Sequence, residues 1–377
     1  FTVVLATFLL GLVIGSAIYK KFLGNRTVRL SGFGIVQIAI AALVAVLLPL
    51  IQEIPFLFIQ LYKLTRGQYY LFQASTSFLC AILMLLPTIA IGMTFPLVSQ
   101  LYVRNKERLG GQIGNVYAVN TIGNILGALI AGFLLVPMIG IHRTLVVGVG
   151  INCIAGLMVW LGENKQLRKR AFVAAVAVCL MIVGGASVYR WPQKLLASGI
   201  QSDVKAWRNL SRRMVKERVG VRKQLYYKEG LNATVSVDKV KSFIVLKVNG
   251  KPDASTMYED MTTQTLAAYI PLLFVDDPKN VFILGLGSGV TVSASTDFAV
   301  ERIDLAEIEP AVVEASRYFK QANKDILRDR RVHLYLEDGR NYLLRKNKRY
   351  DVIVSEPPNP WFEGVASLFT RGYYRLL

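Results

Sequence analysis

Apolar residues follow two regimes along the chain. Up to about Tyr189 they form long blocks almost free of charge; beyond it, charged residues of both signs recur every few positions. A helix needs roughly 20 apolar residues to cross a bilayer. Six blocks approach or exceed that length, at residues 1–18, 32–51, 71–101, 113–139, 145–161 and 171–189, whereas 54–61 is too short to cross and is expected at the interface. The pattern predicts an α-helical transmembrane bundle over residues 1–190, then a basic juxtamembrane linker over 191–228. Residues 233–238 and 243–248 alternate apolar with polar and are followed by Asn249-Gly250, a β-hairpin signature within a small β region at 229–275. From 276 to 377 the pattern becomes strand, glycine turn and helix in repetition. Strands are predicted at 281–284, 303–307, 332–336 and 351–355, with a helix at 310–324 between the second and third. Alternating β and α implies a parallel, doubly wound sheet, an α/β Rossmann-like domain of the methyltransferase type, whose ligands bind beyond the strands' carboxyl ends.

Composition refines this picture. With 377 residues the chain is long enough for two or more domains, and its formal charge is +19. The first residue, Phe1, already lies in an apolar run with no basic stretch before it and no small-residue cleavage site, so the run reads as a clipped span and not as a signal peptide. Lys20, Lys21, Arg26 and Arg29 follow the first span, Arg104, Lys106 and Arg108 the third, and Lys165, Arg168, Lys169 and Arg170 the fifth. Such basic loops mark the cytoplasmic side. An even number of spans then places the remainder on the far side, in conflict with a cytosolic metabolite as ligand, so the chain is read as a multi-pass protein of the cell membrane with the side of its α/β domain left open. Gly11-x-x-x-Gly15 and Gly123-x-x-x-Gly127 would let helices approach closely. The basic residues Arg208, Arg212, Arg213, Lys216, Arg218, Arg222 and Lys223 fit anionic head groups of the lipid bilayer. They lack the interleaved aromatics of a nucleic-acid module, so no nucleic acid is expected as partner. Cys80, Cys153 and Cys179 lie in apolar blocks at neither disulfide nor metal spacing and are read as packing groups; His142 and His333 are isolated and read as surface or loop groups. No metal is expected.

Candidate chemistry gathers at the ends of the four predicted strands. Gly285-Leu286-Gly287-Ser288-Gly289 follows the first, where glycines let the backbone turn sharply and press against a nucleotide. The sixth position is Val290, so the dinucleotide pattern is not met. Glu307 ends the second strand about 20 residues on, where an acid can take both ribose hydroxyls. No phosphate-binding lysine follows, so a nucleoside without a diphosphate fits better. The third strand leads into Glu337-Asp338-Gly339, where Asp338 could accept from an adenine amino group or cap a helix. The fourth runs into Ser355-Glu356-Pro357-Pro358-Asn359-Pro360, an acid and an amide at a strand end that the prolines stop. Together these residues point to an adenosyl-sulfonium cofactor.

The runs "VFILGLGSG", "IDLAEIEP", "LYLEDGRNYL", "YDVIVSEPPNP" and "SLFTRGYY", preceded by "NATVSV" and "QTLAAYIPLLF", resemble the spermidine synthases, the polyamine aminopropyltransferases. The resemblance is nearest to the subgroup fused to a multi-span membrane region, which "GNVYAVNTIGNILGALIAGFLLVPMIG" also resembles. It covers nearly the whole chain, although the family's remaining strands after the fourth are missing. It implies transfer of an aminopropyl group from decarboxylated S-adenosylmethionine to a small-molecule amine acceptor, with methylthioadenosine as product. It further implies that Glu307 binds the ribose, that Asp338 and Gly339 meet the adenine, and that Gly285, Gly287 and Gly289 form the cofactor loop. Asn232 stands where the family usually has a glutamine near the cofactor. Glu356 falls on the proton-accepting aspartate that opens the family's Asp-x-x-Asp-Pro motif. A homodimer is compatible with the resemblance.

The departures are equally specific. Asn359 replaces the second aspartate of that motif, Ser288 replaces the aspartate usual in the glycine loop, and Gln264 matches a position that helps hold the amine. Two acids that would hold a polyamine cation are thus neutral, and desolvating an ammonium without an opposite charge is costly. The resemblance therefore implies a membrane-anchored aminopropyltransferase with an altered polyamine site, its acceptor less cationic than putrescine or held by Glu259 and Asp260. Two alternatives remain open: a methyltransferase using S-adenosylmethionine on the same sheet, and a non-enzymatic transporter or sensor with a synthase-like binding domain.

Overall fold

The computed structural model describes residues 2–103, 106–163, 169–346, 348–357 and 365–377. The chain forms two units, Phe1–Pro192 and Gln193–Leu377.

The first unit is helical. Among the described residues, five helical runs are long and apolar enough to cross a membrane by length and composition: Thr2–Phe22, Leu30–Leu64, Tyr69–Tyr102, Leu109–Ile139 and Ile141–Trp160; Val173–Val188 is a shorter apolar helix. The segment 54–61 is not separate, because the Leu30–Leu47 helix continues through a 3₁₀ turn at Leu48–Glu53 into Ile54–Leu64. Pro49 and Pro55 lie at the start of those two elements, where a missing N–H costs least. Glycines set the closest approaches. A Cβ on Gly15 would lie 2.1 Å from the Ile89 carbonyl oxygen, and one on Gly34 would lie 2.6 Å from that of Gly156. The first spaced pair of glycines thus seats helix on helix, whereas a Cβ on Gly123 or Gly127 would meet nothing within 4 Å. Cys153 and Cys179 are buried beside Ala41 and Val149. His142 is not in a loop: it opens the helix Ile141–Glu163, with its ring edge-on to Trp191 at 5.2 Å. Of the basic loop residues, Arg104, Lys165 and Arg168 lie outside the described residues.

The second unit begins before the small sheet. Residues 193–222, expected as a linker, carry a 3₁₀ turn at Val204–Trp207 and a helix at Arg212–Gly220. Val204, Trp207, Val215 and Val219 are buried, and the Arg218 guanidinium stacks 4.6 Å from the Trp207 ring. Strands β1 (Lys223–Glu229), β2 (Thr234–Val240), β3 (Phe243–Val248) and β4 (Lys251–Ser255) form an antiparallel sheet in sequence order. The β3–β4 turn places Asn249 and Gly250 at φ 51° and 80°, the left-handed pair that a two-residue hairpin requires. One face of this sheet holds the buried ion pair Lys247–Asp238 at 2.6 Å, and Lys247 also donates to the Ala197 carbonyl.

Strands β5 (Asn280–Leu284), β6 (Arg302–Glu307), β7 (Val332–Leu336) and β8 (Val352–Ser355) form a parallel sheet in the order β7-β6-β5-β8. The four predicted strands agree with these to within a residue; His333 lies within β7 and not in a loop. The predicted helix at 310–324 is broken into Pro310–Ser316, a 3₁₀ turn at Arg317–Phe319 and Lys320–Asn323. Val281, Ile283, Ile303 and Leu305 face one apolar core, and Phe282 with Tyr342 faces another.

Asp304 interrupts this apolar pattern and is fully buried. It accepts from Tyr342 Oη (2.8 Å), Tyr350 Oη (2.9 Å), Lys348 Nζ (2.9 Å) and Arg302 Nε (2.8 Å). Burial pushes its carboxyl up, but the bonds from Lys348, Tyr342 and Tyr350 and the charge of Arg302 outweigh that and hold it below its usual value. The Tyr350 phenol is pushed up to about 12, chiefly by burial. Asp304→Asn should destabilise the unit by about 3–5 kcal/mol, since it strips the charge from a buried network. A depressed folded pKa gives stability that is full above the unfolded value of about 3.9 and is lost as pH falls through the folded one. The variant should lack that acid-side loss. Chemical denaturation of the detergent-solubilised chain at several pH values, read by amide exchange in β6, checks both outcomes.

Candidate active site

The parallel register aligns the carboxyl ends of all four strands. Leu284 of β5 lies between Ala306 of β6 and Ser355 of β8, and Glu307 pairs with Leu336 of β7. The order reverses direction between β5 and β8, the switch point at which open α/β sheets bind ligands.

Gly285, Gly287 and Gly289 sit at φ 91°, 52° and 84°, a run of left-handed residues that only glycine adopts without strain. Gly285 N–H donates to the Ala306 carbonyl (2.8 Å), which fixes the loop to β6. A Cβ on Gly285 or Gly287 would meet nothing within 4 Å, so the loop borders open space. Glu307 is buried and holds the loop from below. Its Oε2 accepts from Leu286 N–H (2.9 Å) and its Oε1 from Glu309 N–H (2.9 Å). Burial pushes this carboxyl up, against the lowering effect of these backbone N–H groups. The Ile308 N–H adds to these two, and the carboxylate keeps acceptor capacity for a further donor such as a hydroxyl.

The other predicted residues, where described, lie at or beside the same strand ends. Asp338 caps the helix Gly339–Arg345, accepting from Asn341 N–H at 2.8 Å through one oxygen. Gly339 lets that helix press on the sheet, for a Cβ there would lie 2.8 Å from Leu284 Cδ1. Gln264, on the helix Tyr258–Leu273, accepts from Ser288 Oγ and donates to the carbonyls of Ser255 (3.1 Å) and Asp260 (3.0 Å). Ser288 is 2% exposed. These two, expected to face the amine, instead tie that helix to the glycine loop. Asp260 accepts from Ser255 Oγ and is likewise engaged, and Glu259 is exposed. Asn232 is brought to the end of β6, where Nδ2 donates to the Ile308 carbonyl (3.0 Å). Glu356 follows the last residue of β8; Asn359 lies outside the described residues.

Two acids escaped the sequence reading. Glu309 is buried, with Oε2 accepting from Asn232 N–H (2.7 Å) and Ala233 N–H (3.2 Å) and Oε1 from Ala311 N–H (3.0 Å). It clamps the β1–β2 turn to the end of β6. A signal was present, since an acid directly before a proline that opens a helix is a cap pattern. Asp253, near the end of β4, is open to solvent yet crowded by protein, as a group lining a cleft would be. Burial pushes its carboxyl up, partly offset by Lys251. Glu356 is in the same state, pushed up by burial and then by the negative charge of Asp253. No motif marks Asp253; only the fold brings it to Glu356. Among the described residues no group of three or more His, Cys, Asp or Glu side chains could hold a metal.

Gly230→Ala tests the clamp, because the added methyl would lie 2.1 Å from Glu309 Oε1. It should free the Asn232 and Ala233 amides, and exchange–mass spectrometry should show them exchanging faster, as in Glu309→Gln. Unchanged exchange in both variants would remove the clamp.

Residues 259–377 match the family profile of the spermine/spermidine synthase domain. A polyamine aminopropyltransferase of Alkaliphilus oremlandii is 34% identical over 119 residues, 31% of this chain and 40% of that protein. One of Oceanobacillus iheyensis is 24% identical over 306 residues, 77% of this chain and 55% of that protein. The chain thus spans about half, or less, of the length of these curated relatives. A solved spermidine synthase in complex with the transition state analogue AdoDATO is 24% identical, with a TM-score of 0.39, covering 41% of this chain and 53% of that one.

Proposed function

We propose that this chain, whose residues 259–377 belong to the spermine/spermidine synthase family, is a membrane-anchored aminopropyltransferase. It moves an aminopropyl group from decarboxylated S-adenosylmethionine to an amine acceptor and releases methylthioadenosine. The observation that carries this reading is the row of strand ends: an open glycine loop after β5, Glu307 ending β6, Asp338 after β7 and Glu356 after β8.

The residues present suit the adenosyl group. The loop borders open space, Glu307 offers its remaining acceptor capacity to a ribose hydroxyl, and Asp338 keeps one oxygen free of hydrogen bonds among the described residues. At the acceptor, a neutral amine nitrogen attacks the carbon beside the sulfonium. The C–N bond forms as the C–S bond breaks, the electron pair leaves with sulfur, and the proton shed by nitrogen passes to Glu356. A carboxyl raised by burial and by a neighbouring negative charge is a stronger base than a free one. The amine side departs from the polyamine pattern, because Ser288 and Gln264 satisfy each other. Five helices of membrane-crossing length and composition support anchoring in a bilayer.

Glu356→Gln should lower aminopropyl transfer by about 100-fold or more, the usual range for a general base, while methylthioadenosine affinity stays near wild type. Glu356 must be ionised to accept the proton, so activity should fall as pH drops through a pKa above the free value of about 4.3. Transfer assays and calorimetry on the detergent-solubilised chain read both. Methyl transfer from S-adenosylmethionine, or failure of the wild type to bind methylthioadenosine, would overturn the proposal.

A further inference from the structure

The acceptor pocket looks short of acids by sequence, since Asn359 and Ser288 are neutral and Asp260 is engaged by Ser255. The fold supplies another. Asp253 lies two residues before Ser255, whose carbonyl oxygen accepts from Gln264 Nε2. The amide oxygen of Gln264 in turn accepts from Ser288 of the glycine loop. The end of β4 is thereby fastened to one side of that loop. On the other side, Ser355 pairs with Leu284, the residue before Gly285, and Glu356 comes next. Asp253 and Glu356 therefore flank the loop from two different sheets. Neither carboxylate makes a hydrogen bond or an ion pair among the described residues, and the negative charge of Asp253 raises the cost of ionising Glu356. Lys251, two residues earlier on β4, places a positive charge near Asp253 that offsets the burial only in part.

We propose that Asp253 is the acceptor-specificity residue, holding the cationic ammonium of a diamine beside Glu356. The inference rests on the aminopropyltransferase reading of this site. A cation between the two carboxylates removes their repulsion and replaces the missing charge at Asn359 from a different element of the fold. Asp253 stays ionised as the counter-charge, and Glu356 takes the proton that nitrogen sheds. The acceptor class is then a small aliphatic diamine with one protonated end, and not a neutral nucleophile.

The test is calorimetry of putrescine against the full-length, detergent-solubilised chain saturated with methylthioadenosine. Asp253→Asn should weaken putrescine by about 10- to 100-fold, the range for a hydrogen bond to a charged group, and leave methylthioadenosine binding near wild type. Asp253→Glu, which keeps the charge, should recover part of the loss. In transfer assays Asp253→Asn should raise KM for the amine more than it lowers kcat. It should also move the acid limb of the pH profile to lower pH, because Glu356 loses a neighbouring negative charge. Equal putrescine affinity in wild type and Asp253→Asn, or no putrescine binding by a wild type that does bind methylthioadenosine, would overturn the inference. Failure of the wild type to bind methylthioadenosine overturns instead the function on which it rests.

Discussion

The site of this protein hangs on one buried carboxylate. Glu307 ends a central strand with almost no access to water, and its two oxygens are held by N–H groups from two different loops, Leu286 in the glycine turn and Glu309 beyond the strand. Removing a carboxylate from water is unfavourable unless donors meet it. Those donors exist only when the glycine loop is folded back over the end of β6. The loop conformation and the buried acid thus stabilise each other through these hydrogen bonds, and the loop borders open space at Gly285 and Gly287.

This strand and the residues just past it carry three acids with three separate tasks. Asp304 points to the face covered by Tyr342 and Tyr350 and anchors a polar network within that core. Glu307 shapes the loop. Glu309, past the strand end, grips the turn of the antiparallel sheet through the Asn232 and Ala233 amides. Glu314, on the following helix, adds Tyr226 (2.8 Å) and Lys228 (2.6 Å) of β1 to the same attachment. The small sheet is therefore held to the large one by carboxylates reaching out from β6 and its helix, and this is what places β4 near the glycine loop.

That attachment bears on the proposed amine side of the site. Polar side chains that the family resemblance assigns to an acceptor are engaged in holding elements together, as Gln264 and Ser288 are. Under the proposed function, Asp253 and Glu356 supply the negative charge there, and a cation is the ligand that would relieve the burden Asp253 places on Glu356.

The chain's pattern alone was enough for the parallel sheet and for the residues that line its carboxyl edge. Strand positions, the glycine turn, Glu307 and Glu356 all lie in local runs whose spacing fixes which end of the sheet they occupy, because a parallel β-α repeat aligns every strand end on one edge. The helical regime was equally legible from uninterrupted apolar length, and Gly11 and Gly15 do mark a close helix contact. Other features were decided by tertiary structure. The continuity of Leu30–Leu64, the folding of residues 193–222 into the α/β unit, the mutual satisfaction of Ser288 with Gln264, and the meeting of Asp253 with Glu356 all depend on distant segments. Asp253 and Glu356 are about a hundred residues apart in sequence and belong to different sheets. No local period encodes such a pairing; it arises as carboxylates just past β6 and on its helix, Glu309 and Glu314, fasten one sheet against the other.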